Sequence, residues 1–144
     1  MRVFGWFVAL SLGCSTVALG QRPGCTEKQA QHAEEEIGQL RTWDSLYRSF
    51  LRYHNCDDGS IAEGYDDVVS LKLLLGNWDT LPRLATLLDS DKHFKSFVFR
   101  HISLTALGAD DLKKLKAKAV HNCPEGRADL CRDIRLRVVK LERE

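Results

Sequence analysis

The chain has 144 residues, 21 basic and 20 acidic, for a formal net charge of +1. That length is enough for one domain with its own core. The near-neutral balance argues against a protein built to grip nucleic acid or an anionic membrane surface.

The first residues have the pattern of an export signal. Arg2 is a short basic region, Val3 to Leu12 an apolar run, and Ala18-Leu19-Gly20 a small-x-small cleavage site. A membrane anchor needs about 20 apolar residues, and this run falls short of that. The expectation is therefore a signal peptide over 1–20 and a mature domain over 21–144. Cys14 after Gly13 raises lipidation, but Ser11 stands where a lipoprotein signal carries leucine. The mature chain is neutral overall but polarised, with net −6 over residues 27–67 and net +3 over 108–144. Solvated helix faces account for most such charges, and the asymmetry can also steer a partner.

Thr26 followed by Gln29 predicts a capping-box helix start. Ala30, Ala33, Ile37 and Leu40 then recur at helical spacing, and Leu46, Tyr47, Phe50, Leu51 and Tyr53 continue the face after Thr42. The pattern leaves open whether 27–54 is one helix or two. Asn55 to Gly59 breaks it. The next stretch, Cys56 to Leu75, organises the chain. Ser60 and Glu63 have capping-box spacing, which predicts a helix over about 61–75. Ile61, Ala62, Tyr65, Val68, Val69, Leu73 and Leu75 share one face on a regular wheel, with Glu63, Asp66, Asp67 and Ser70 opposite. Lys72 falls inside the apolar stripe, and Leu71 and Leu74 fall outside it.

Gly76-Asn77 ends that helix. Thr80, with Pro82 in the first turn, opens one with Leu81, Leu84, Leu87 and Leu88 inward. Asp89 or Ser90 opens the next, with Phe94, Phe97, Val98 and Ile102 inward. A lysine-rich helix follows from Ala109 to about Val120, and Leu130, Ile134, Val138 and Leu141 line a last one. No stretch alternates apolar and polar residues long enough for a strand. The fold class is all-α, a single compact irregular bundle of five or six helices.

Four cysteines remain after cleavage, which in an exported chain allows two disulfides in three connectivities. Cys123 and Cys131, eight apart around Pro124 and Gly126, suit a local staple; Cys25 would then pair with Cys56. The same cysteines admit another reading. His-Asn-Cys occurs twice, and His54, Cys56, His121 and Cys123 would make a tetrahedral zinc set, although their spacing is tight and an oxidising compartment favours bridges. An EF-hand register on Gly59 puts His54 and Tyr65 at ligand positions they cannot fill. There is no nucleophile elbow, phosphate loop or metalloprotease motif. No catalytic residue, cofactor or metal is expected. His32, His93 and His101 are read as ordinary surface or packing residues, and Trp78 as a partner anchor or a core plug.

Together, Cys56–Val69, Asn77-Trp78-Asp79, Phe97–Ile102, Cys123-Pro124 and Leu130-Cys131 resemble the pattern of the type VI secretion amidase immunity proteins, specifically the partners of the fourth amidase-effector family. The resemblance spans about 43–135, and it rests on the order and spacing of the pieces. Cys25 lies outside the pattern. The resemblance implies a periplasmic, all-helical homodimer that binds a secreted cysteine–histidine peptidoglycan amidase and blocks its cleft. On that reading Asp57, Asp58, Glu63, Asp66 and Asp67 are candidates for contact, with Asn77, Trp78 and Asp79 as a second set. Leu71 and Leu74 are candidates for a dimer seam, because burial by a second copy would explain apolar side chains off the core face. Neither nucleic acid nor, after signal cleavage, a membrane is an expected partner. Two readings from other classes compete: a disulfide-stapled carrier of a small apolar ligand, and a small hydrolase or metal protein.

Overall fold

A computed structural model describes residues 24–144, so the signal peptide expected over 1–20 lies outside the described residues. The described chain is all-α, with no strand among its residues. It runs through α1 (Glu27–Ile37), α2 (Trp43–Tyr53), a 3-10 turn at His54–Cys56, α3 (Gly59–Asp66) and a π-helical segment at Asp67–Leu75. After a second 3-10 turn at Trp78–Thr80 come α4 (Leu81–Ser90), α5 (Lys92–Arg100), α6 (Ala109–His121) and α7 (Ala128–Leu141). No helix among the described residues is long and apolar enough to cross a membrane.

The first boundaries are set by local chemistry. Thr26 caps α1 in a complete capping box with Gln29, as its sequence predicts. Thr42 does the same for α2 with Ser45, which separates residues 27–54 into two helices. Two caps differ from expectation. Asp58, not Ser60, caps α3, because its backbone is extended while Ser60 is already helical; Ser60 Oγ instead donates to Glu34 Oε1 at 2.5 Å. Asp91, rather than Asp89 or Ser90, caps α5, accepting from the amides of His93 and Phe94.

The larger departure is the winding after Asp66. Gly76 N–H bonds to Leu71 O at 3.0 Å, five residues back. In this wider turn residues five apart share a face, so Val68 with Leu73 and Val69 with Leu74 all enter the core. Leu74 is fully buried within its own chain, so it cannot form a dimer seam; Leu71 stays 37% exposed. Ser70, expected to face solvent, is buried and donates to His101 O at 2.8 Å. Lys72 leaves the apolar stripe and lines a cleft with Asp67, five residues earlier. The segment ends at Gly76, where a Cβ would lie 2.6 Å from Lys72 O.

The core runs through every helix. Trp43, Leu46, Tyr65, Phe94, Phe97, Leu115 and Ile134 are almost completely enclosed. Phe50, Tyr65, Phe94 and Phe97 form a chain of tilted and edge-on rings. α1 meets α3 closely at Gly64, where a Cβ would sit 2.7 Å from Ile37 Cγ2.

Two disulfides close the bundle, Cys25–Cys56 across 31 residues and Cys123–Cys131 across 8. Bridges restrict the unfolded chain more when the loop is longer. Replacing Cys25 and Cys56 by serine is expected to cost about 3–4 kcal/mol, and replacing Cys123 and Cys131 about 2–3 kcal/mol. Urea unfolding of the two double variants checks the order.

Candidate functional site

The corner between α2 and α3 contains most of the charged residues singled out from the sequence, and the structure divides them into two groups. Asp57 and Asp66 face inward, 3% and 8% exposed. They bracket His101, which is 2% exposed at the C-terminal end of α5. His101 Nδ1 lies 2.7 Å from Asp66 Oδ1, and Nε2 lies 3.2 Å from Asp57 Oδ1. The second contact is an ion pair whose angles fall outside hydrogen-bond geometry. Ser103 Oγ donates to Asp66 Oδ2 at 2.6 Å, and Arg100 reaches Asp57 Oδ2 from the solvent side at 2.5 Å. Two carboxylates and an imidazole thus share a buried network that the Arg100 guanidinium joins from outside, and pairing is what lets such charges be buried.

Burial opposes the charged form of His101, but the carboxylates of Asp57 and Asp66 outweigh it and raise the ring's pKa above the ordinary histidine value. Next to it, burial pushes the Tyr65 phenol up to about 12, while its hydrogen bond with Ser49 Oγ at 2.9 Å works the other way.

Asp58, Glu63 and Asp67 face outward. Asp58 is partly occupied in accepting from Gly59 N–H at 2.9 Å. The Glu34–Ser60 hydrogen bond separates two open clefts along the seam between α1 and α3. One, about 310 Å³, is lined by the Cys25–Cys56 bridge, Glu27, Glu34 and Asp58. The other, about 270 Å³, is lined by Glu34, Gly64, Asp67 and Lys72.

The loop set divides in the same way. Asn77 and Asp79 are exposed, but Trp78 is 5% exposed, with its indole N–H on Asn122 O at 2.7 Å. The side chain is packed into the protein and is not displayed for a partner. The indole also ties the end of the π segment to the end of α6.

The sequence matches no family model and no curated protein, and the fold matches no solved structure.

The geometry constrains the chemistry of the network. Both ring nitrogens of His101 face carboxylates, so neither presents a lone pair to a substrate or a nucleophile. The two carboxylates meet opposite sides of the ring and do not converge on a common point. Among the described residues no group of three or more His, Cys, Asp or Glu is placed to hold a metal ion. The zinc reading fails for a direct reason, since Cys56 and Cys123 are both consumed by bridges. Sequence reasoning missed His101, Arg100 and Glu34. A signal for His101 was present: with Phe94, Phe97, Val98 and Ile102 it completes the inward stripe of α5.

Proposed function

We propose that this chain is an exported immunity protein that binds a secreted cysteine–histidine peptidoglycan amidase in the periplasm and covers its active-site cleft. The observation that carries the reading is the rigid construction of the α2–α3 corner. The Cys25–Cys56 bridge holds it from one side and the Asp57–His101–Asp66 network from beneath, while Asp58, Glu63 and Asp67 remain at the surface. A preshaped surface loses little conformational entropy on docking, which favours tight binding by an inhibitor. Exposed acids complement a basic cleft and speed encounter. The resemblance over about 43–135 supplies the partner class, and two bridges agree with an oxidising compartment. Asp57, Asp66 and Trp78 act here as supports for the surface, not as contacts. Homodimerisation belongs to the same reading, with Leu71 as its remaining apolar candidate.

The direct test mixes the mature protein with such an amidase and follows cleavage of cell-wall stem peptides. Cleavage that continues undiminished at equimolar inhibitor rejects the proposal. The pair Glu63→Lys and Asp67→Lys, both at exposed positions, tests the electrostatic part. Association measured by stopped flow is expected to slow on the order of tenfold at low salt, with the difference shrinking as salt rises.

A further inference from the structure

The two sides of His101 are not equivalent. On the Asp66 side the contact is short, 2.7 Å, and Asp66 has a second hydrogen bond from Ser103 at 2.6 Å. That carboxylate stays satisfied with or without charge on the ring, provided Nδ1 keeps its proton. On the Asp57 side, Nε2 and Oδ1 are 3.2 Å apart without hydrogen-bond alignment. Attraction there depends on the charge of the ring. With Nε2 deprotonated, its lone pair faces a carboxylate oxygen in a site nearly closed to water.

The geometry points to a one-sided clasp: protonated His101 helps pin the α2–α3 corner to the end of α5 through Asp57, and loss of the Nε2 proton loosens that hold while Asp66 stays attached to the ring and Arg100 to Asp57. The clasp goes beyond the inhibitor reading and stands whether or not the corner docks on an amidase.

The neighbours of the ring fit this division. From α5 itself, Arg100 also holds Asp57 Oδ2, so loss of the ring charge loosens the corner without expelling it. From α3, the Tyr65 ring lies 5.6 Å away, centroid to centroid, and its hydroxyl bonds to Ser49. From α7, Arg137 donates to Ile102 O at 3.0 Å, steadying the backbone beside His101. From the π segment, Ser70 does the same for His101 O. Asp57 and Asp66 are the carboxylates in direct contact with the ring. Because the folded-state pKa of His101 is raised, the stabilisation is fully present below the unfolded value of about 6.5. It is lost as pH rises through the folded-state value.

The experiment follows the His101 ring proton by NMR from pH 6 to 10, assigned by comparison with His101→Gln, together with amide exchange. The local reporters are Ile61 and Ala62, whose amides bond to Asp58 O at 3.2 and 3.3 Å. The distant reporters are the amides of Leu112 and Cys131, bonded to Gly108 O and Arg127 O. After correction for intrinsic exchange, protection at Ile61 and Ala62 is expected to fall at least tenfold across the His101 titration, with Leu112 and Cys131 unchanged. In Asp57→Asn the local step is expected to vanish, because an amide can hydrogen-bond to a neutral ring. His101 titrating at or below about 6.5 overturns the clasp. So does a loss of protection shared equally by all four amides, or a local step that persists in Asp57→Asn. Should that variant fail to fold, the native ring titration and the local-against-distant exchange decide alone.

Discussion

Replacing Asp66 by alanine is expected to cost about 3–5 kcal/mol, the range found when one partner of a buried ion pair is deleted. The substitution leaves His101 Nδ1 and Ser103 Oγ facing a cavity where a carboxylate oxygen had met each of them. It also leaves the imidazolium with Asp57 as its direct carboxylate partner at the less well aligned contact. Domains of this size are stable by about 5–15 kcal/mol, so the loss is a large share of the total. Asp66→Asn keeps the shape and one acceptor, and it should cost less. Urea unfolding at pH 7 of both variants against the native chain makes the measurement. A cost below about 1 kcal/mol for alanine would show that the network contributes nothing beyond what water provides to the separated groups.

Trp78→Ala should be nearly as severe, at about 3–5 kcal/mol. The side chain is 5% exposed and bonds to Asn122 O at 2.7 Å, so alanine leaves both a cavity and a bare carbonyl. Trp78→Phe separates these contributions, because it keeps most of the packing and loses about 1 kcal/mol of hydrogen bond. The same pair distinguishes a plug from an anchor. An anchor lowers affinity for a partner and leaves the unfolding midpoint in place, whereas a plug shifts the midpoint of the isolated chain.

Helix existence was legible because local chemistry decided it. Thr26 with Gln29 announces α1, and the 3.6-residue spacing of Leu81, Leu84, Leu87 and Leu88 announces α4, while the pattern leaves open the break at Thr42 that divides 27–54. The cysteine pairing was legible because a count of four and one short spacing leave few arrangements. What escaped depended on contacts distant in sequence or on a change of winding. A wheel of fixed pitch assigns Ser70 and Leu74 to the wrong face because it cannot anticipate that the hydrogen bonds after Asp66 reach five residues back and widen the turn. Ser60 loses the capping role to Asp58 through backbone angles that residue identity does not specify. Asp57 and Asp66 look like solvated acids until the fold brings in His101 from a helix 35 residues beyond Asp66. The exposed acids were easier, since Glu63 and Asp67 sit at the surface as their polar character suggests.

The placement of the two bridges has a consequence for when the molecule acquires its final form. Cys25 joins the segment before α1 to the turn before α3, while Cys123 and Cys131 fasten the pair α6 and α7. Such sulfur–sulfur bonds are rare where thioredoxin and glutathione keep thiols reduced. A copy held among such reductants would therefore lack both fastenings. The sulfur pattern thus makes the shape of the α2–α3 corner depend on an oxidising environment.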